Sequence, residues 1–249
     1  MNLKHTKHKG FIAFPSLIAD VSHQFTRSMI PSNELSESAI MTIILLSGSP
    51  STLSRSSRLL HFVGDKLNEF GYHTLTIALR DLPAQALLHA DFNNARLQEV
   101  RQQLAQADAV VIATPVYKAA YSGLLKIFLD MLPQDGLEGK LVLPLATGGS
   151  QSHMLALDYA LRPVLSALAA RHILPSVYAT DAQVARSGPD AARTDPAIDL
   201  AIVKRLQDGV DRLHEGLGHL RDLRNFSRMR SPTTLVQLDA QFVPAAGRA

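Results

Sequence analysis

From Met41 onward, short unbroken apolar runs alternate with longer segments whose apolar residues return every three or four positions. Unbroken runs suit strands covered on both faces, as in a parallel sheet, and the longer spacing suits helices with one apolar side. Residues 42–46, 72–79, 109–113, 140–146 and 172–179 read as strands. Between and after them, helices are marked by Leu59, Leu60, Val63, Leu67 and Phe70, then by Leu97, Val100, Leu104 and Ala107. Residues 121–132, the set from Leu157 to Leu168 and the set from Val203 to Leu217 continue the pattern. Gly71 and Pro133 supply stops. Pro144 inside the fourth strand has to sit where its missing N–H does no harm.

Strands that alternate with helices and cross over with the usual right hand give a doubly wound α/β domain. The expected fold class is a flavodoxin-like, five-stranded parallel sheet in the order 2-1-3-4-5. The domain is expected over residues 41–222, between a loosely ordered extension (1–40) and a loose tail (223–249). Residues 181–198, rich in Ala, Arg, Asp and Pro, read as an exposed linker to the last helix. Lys4, Lys7 and Lys9 ahead of a short apolar run imitate a signal peptide, but Pro15 and Ser16 break the run. Residues 1–40 therefore read as an extension, or as sequence upstream of a start at Met41.

Composition narrows the function classes. The 249 residues are 46% apolar and 19% charged, as in ordinary globular proteins. A net charge of +3 with dispersed basic residues and no tryptophan gives no nucleic-acid-binding face. No apolar run is long enough to span a bilayer, so no membrane partner is expected. The absence of cysteine excludes thiolate nucleophiles, thiolate metal sites and disulfides, and fits a cytoplasmic setting. The histidines form no ligand-spaced cluster, and His153 reads as a helix-start residue. Asp130, Asp158 and Asp181 form no spaced pair that suggests hydrolysis, so no metal site and no catalytic side chain is assigned.

Three polar, glycine-bearing stretches follow three of the strands: Ser47-Gly-Ser-Pro-Ser-Thr-Leu-Ser-Arg-Ser-Ser57, Thr114-Pro-Val-Tyr-Lys-Ala-Ala-Tyr-Ser-Gly123 and Thr147-Gly-Gly-Ser150. In an open α/β sheet, ligands collect beyond the carboxyl ends of the strands. The first stretch places serines and Arg55 before a helix, where free N–H groups favour an anion. It has neither the spacing of a dinucleotide loop nor the lysine of a triphosphate loop, which points to a terminal monophosphate such as that of FMN. Two readings fit this loop alone: a phosphate cradle, or a helix capped by Ser54 or Ser56. Pro115, Tyr117 and Gly123 can border a flat ring, or form an ordinary turn. Thr147, Gly148 and Gly149 can bring bare N–H groups to a ring edge where charge develops, or form a plain glycine turn.

These stretches resemble the NADPH-dependent FMN reductase family over about residues 41–220. The strings Ala113–Gly123, Leu143–Gly149 and Asp158–Leu168 are similar to the reductases of two-component alkanesulfonate monooxygenase systems. The resemblance implies that Ser49, Ser54 and Ser56, with Arg55, hold the phosphate of FMN. It places Pro115, Val116, Tyr117 and Lys118, together with Thr147, Gly148 and Gly149, around the isoalloxazine. The wider family has asparagine where this chain has Lys118, and often an arginine where it has Ser51.

The activity so implied is hydride transfer from NADPH, with NADH as an alternative donor, to FMN. Reduced FMN would then pass to a flavin-dependent monooxygenase. Rival readings on the same fold are a quinone or azo reductase with bound FMN, and a flavodoxin-like electron carrier, which the basic composition disfavours. The resemblance further implies a homo-oligomer, a tetramer or dimer, with Tyr121 near the subunit contact and a helix irregularity at that tyrosine.

Overall fold

The computed structural model describes residues 41–185 and 198–229. The expected extension (1–40), residues 186–197 of the expected linker and residues 230–249 of the expected tail lie outside them. In chain order the elements are β1 (Thr42–Ser47), α1 (Arg55–Glu69), β2 (His73–Ala78), α2 (Ala84–Leu88), α3 (Ala95–Gln106), β3 (Ala109–Tyr117) and β4 (Ala120–Tyr121). There follow α4 (Gly123–Leu129), β5 (Leu141–Gly148), α5 (Arg162–Ala167), β6 (His172–Ile173), β7 (Val177–Thr180) and α6 (Leu200–Met229). A 3-10 turn (Gln151–Leu155) and a π turn (Leu157–Leu161) lead into α5. None of these helices is long and apolar enough to cross a membrane.

The parallel sheet runs β2-β1-β3-β5, with β6 and β7 both parallel on the outer side of β5. This is the expected 2-1-3-4-5 flavodoxin-like order, with β5 in the fourth position and β6 and β7 sharing the fifth. The last strand was expected to be continuous, but it breaks around Pro175. β5 pairs with β6 through Leu141 and Val142, and with β7 from Leu145 onward. Pro144 stands opposite the break, the place where a strand residue without an N–H is tolerated.

Alternate strand residues feed two apolar layers, which is why the runs in the sequence are unbroken. Ile43, Leu45, Val111 and Leu143 pack with Leu59 and Val63 of α1 and Leu206 and Val210 of α6. Ile44, Leu46, Val110 and Ile112 pack on the other side with Leu97, Leu104, Phe128 and Leu161. Each such side chain contributes about 1.5–3 kcal/mol by burial. Two helices lie so close to the sheet that they carry glycine there. A Cβ at Gly64 would come 2.6 Å from Leu45 Cδ1, and one at Gly216 would come 2.8 Å from Leu141 Cδ1.

Four local features differ from expectation. The third strand runs on through Thr114–Tyr117, residues expected as a loop, because Val116 pairs with Tyr121 and Tyr117 with Ala120. Tyr121 therefore lies in β4 and not in a helix; α4 begins at Gly123, where Ser122 caps it by accepting from Leu125 N–H at 3.1 Å. Tyr121 carries no helix irregularity, and a π turn lies at Leu157–Leu161, against which β4 packs. Finally, α6 continues to Met229, past the expected boundary at residue 222.

Candidate functional site

The carboxyl ends of β1, β3, β5 and β7 surround one cleft of about 180 Å³. Its walls hold Ser49, Ser54, Arg55, Pro115, Val116, Tyr117, Thr147, Gly148 and Gly149, nine of the residues singled out in the sequence. The first loop reaches this position through close backbone contacts. Gly48 N–H donates to Ala113 O at 2.8 Å, and a Cβ at Gly48 would lie 2.9 Å from Leu125 Cβ. Ser122 Oγ donates to Gly48 O at 2.5 Å, while Ser122 N–H donates to Thr114 Oγ1 at 3.0 Å. One serine thus ties the first loop, the end of β3 and the start of α4 together.

At one end of the cleft, α1 points its N-terminus inward. Its first N–H groups lack intrahelical acceptors, and its first turn carries no acidic residue. Ser54 caps the helix, accepting from Ser57 N–H at 3.2 Å, and shares a 2.7 Å hydrogen bond with Ser56 Oγ. Ser54 is a cap, as one reading of this loop expects, and it also lines the cleft. Ser56, named with it in the sequence, has a fully buried side chain and is absent from the cleft wall. It reaches the cleft only through Ser54. Ser49 accepts from Ser51 N–H at 3.2 Å, which curls the loop around that hydroxyl.

At the other end, Thr147, Gly148 and Gly149 close β5. A Cβ at Gly148 would strike Tyr178 Oη at 2.6 Å, so the protein's own packing demands glycine there. Gly149 has open space around its Cβ position, so its bareness leaves backbone exposed to the cleft without any demand from packing. Beneath this turn, Tyr178 donates to Ser150 O at 2.6 Å. Burial, with the Asp181 carboxylate adding to it, raises the Tyr178 pKa above the ordinary phenol value, so the hydroxyl stays a donor.

Lys118, also expected at the ring, stands apart from the residues of the cleft wall. It occupies the tip of the β3–β4 hairpin, exposed and outside the cleft wall, with φ of 49°, and Ala119 follows at 63°. Two successive left-handed residues make a two-residue hairpin turn, which asparagine and glycine favour. Sequence reasoning missed Ser51, Leu53 and Asp181, all of which line the cleft. Asp181 carried a usable signal: it directly follows the last strand, at the same edge as the other loops. Its N–H donates to Gly148 O at 3.0 Å, and its carboxylate lies 3.3 Å from Arg55 Nη1. His153 lies in the 3-10 turn beside the cleft and does not line it.

A serine-rich end with helix N–H groups and a guanidinium, joined to a flat end of exposed backbone, suits a ligand with a phosphate and a planar polar ring. Comparison with known proteins agrees. The sequence pattern of the NADPH-dependent FMN reductase family matches residues 41–185. The chain is 47% identical over 178 residues to an FMN reductase (NADPH) of Pseudomonas putida, covering 71% of this chain and 88% of that one. It is 52% identical over 144 residues to an FMN reductase (NADPH) of Escherichia coli, covering 58% and 75% respectively. Among solved structures, the apo form of the NADH:FMN oxidoreductase EMOB superposes with a TM-score of 0.61 at 37% identity, covering 78% of this chain and 93% of that one. The chain belongs to the NADPH-dependent FMN reductase family.

Proposed function

We propose that this protein oxidises NADPH, with NADH as an alternative donor, and reduces FMN taken up in the cleft. The observation that carries the reading is the convergence of the three loops on one cleft, with serines, Arg55 and the opening N–H groups of α1 gathered at one end. Ser49, Ser54 and Arg55, with the N–H groups that open α1, would hold the phosphate. The backbone of Pro115–Tyr117 and of Thr147–Gly149 would border the ring, and its N–H groups favour charge at the ring edge. The flavin itself supplies the hydride-accepting chemistry, so the protein's task is to position it and no side chain is assigned as acid or base. Purified protein should oxidise NADPH only when free FMN is added. Flavin that stays bound, with activity appearing only on quinones or azo dyes, would replace this reading with that of a quinone or azo reductase.

The same reading makes reduced FMN the product delivered to a separate flavin-dependent monooxygenase, in a cytoplasmic setting. It also includes a homo-oligomer, a tetramer or dimer, with Tyr121 near the contact. Support comes from Leu124 and Ile127, which stay partly exposed on α4, and from the exposed Tyr117 and Tyr159 nearby. Light scattering of the parent and of Tyr121→Ala tests this: a parent monomeric at micromolar concentration removes the oligomer. The domain is proposed to span residues 41–222, with its last helix running on to Met229, and a chain starting at Met41 should keep its folding and FMN reduction.

A further inference from the structure

Among the described residues that line the cleft, Arg55 and Asp181 are the only charged side chains, and they are paired with each other. Arg55 is held at two points by the segment after β7. Its Nε donates to Val184 O at 2.9 Å, and its Nη1 faces the Asp181 carboxylate at 3.3 Å. Asp181 in turn is fixed by its own N–H, which donates to Gly148 O at 3.0 Å. The carboxylate therefore sits in the wall of a cleft whose serine-rich end suits an anion, on a backbone tied to β5. Nothing about the fold demands this choice of residue. The backbone bond that ties this segment to β5 needs no side chain, and Val184 O already holds Arg55.

We infer that Asp181 is an affinity-limiting residue: by occupying Arg55 and facing the anion end, it weakens the hold of the cleft on the phosphate of FMN. The inference rests on the reading that the phosphate lies at the start of α1. A phosphate entering there meets a neutral ion pair where a lone guanidinium would attract it. It gains Arg55 only by sharing that group with Asp181, and it feels the carboxylate's repulsion directly. The hydroxyls and helix N–H groups remain, so binding persists but stays loose. A loose phosphate site suits a flavin that enters oxidised and leaves reduced. A charge of this sign is unexpected in a site built to retain its flavin.

The test is titration of the full chain with FMN and, separately, with riboflavin, which has the ring and ribityl chain but no phosphate. Asp181→Asn keeps the shape and removes the charge, and should bind FMN about fivefold tighter, the effect of losing one partly screened like charge. Riboflavin affinity should not change, Asp181→Glu should behave like the parent, and the gain should shrink at about 1 M salt, where screening is strong. Asp181→Ser, a smaller neutral replacement, guards against a local packing fault and should show the same gain. Asp181→Asn and Asp181→Ser that bind FMN no tighter overturn the inference, as does equal tightening for both ligands. A parent that fails to distinguish FMN from riboflavin shows that the phosphate lies elsewhere, and the inference falls with the reading beneath it.

Discussion

The two ends of the same sheet treat charge in opposite ways. At the carboxyl end, serines, helix N–H groups and a half-exposed Asp181 are left facing an open cleft. At the amino end, Asp108 and Lys140 are each only 7% exposed, and their hydrogen-bonding groups are engaged by the fold itself. Asp108 Oδ2 accepts from Thr42 N–H at 2.8 Å, and Oδ1 pairs with Arg224. Lys140 Nζ donates to Ala105 O at 2.7 Å and Ala107 O at 2.8 Å. The amino end is closed by its own charges, and the extension of α6 that delivers Arg224 is part of that closure. Polar groups that satisfy one another stabilise the fold, whereas polar groups that face a cleft are available to a ligand.

The comparison breaks most readily at Lys140. Lys140→Met strands two carbonyl acceptors and should cost about 2–4 kcal/mol in denaturant unfolding at neutral pH, while FMN affinity of the folded protein stays unchanged. Burial holds the Lys140 ammonium below its ordinary value of 10.5, with Asp108 partly opposing the shift. The unfolded chain therefore binds that proton more tightly. The parent should gain stability relative to Lys140→Met as pH rises toward 10.5, and a difference that is flat with pH would show that the lysine is not desolvated. At the other end of the sheet, Ser49→Ala and Ser54→Ala should each lose about 1.5–3 kcal/mol of FMN binding and little riboflavin binding. Ser54→Ala should in addition cost about 1 kcal/mol of stability, because it removes the cap of α1. Equal losses of FMN and riboflavin would reduce both serines to structural roles.

Two adjacent glycines sharpen the same contrast within one turn. Gly148→Ala pushes a methyl to 2.6 Å from Tyr178 Oη and should lower stability by about 1–3 kcal/mol, through overpacking. Gly149→Ala meets no protein atom within 4 Å, so it should leave unfolding unchanged and weaken FMN binding. A Gly149→Ala protein that binds FMN like its parent would place the ring away from this turn.

These differences bear on what a sequence can disclose. The strand and helix alternation was legible because two-sided burial leaves unbroken apolar runs, as in Ile43–Leu46 and Val110–Ala113. The cleft was legible because its loops share polar, glycine-bearing composition at one sheet edge. The β3–β4 hairpin was not, since Lys118 and Ala119 give none of the usual turn signals and only the pairing of Val116 with Tyr121 and of Tyr117 with Ala120 defines it. Ser56 reads like Ser54 in sequence, and only the packing of α1 separates a buried partner from a cleft wall. Asp181 escaped because a lone carboxylate belongs to no motif; its meaning comes from Arg55, which is remote in sequence and near in space. The Arg224 contact escaped for the same reason.

The smallest effect expected tests that hairpin. Lys118 and Ala119 hold φ of 49° and 63°, a region where a Cβ crowds the following carbonyl and costs about 1–2 kcal/mol per residue. Glycine carries no such penalty, although it adds freedom to the unfolded chain worth about 0.4–1 kcal/mol. Ala119→Gly should therefore stabilise the protein by about 0.5–1 kcal/mol net, read as a shift in the unfolding midpoint at unchanged slope. Lys118→Asn should stabilise it by less, because asparagine only eases the left-handed conformation. FMN binding should stay the same in both variants, since Lys118 and Ala119 lie outside the cleft wall. Strain that persists beside a ligand site can also serve to aim its neighbours, here Tyr117 and Val116. A loss of FMN affinity in Ala119→Gly would show that the strained turn orients those residues toward the ring, and the hairpin would then belong to the working end of the sheet.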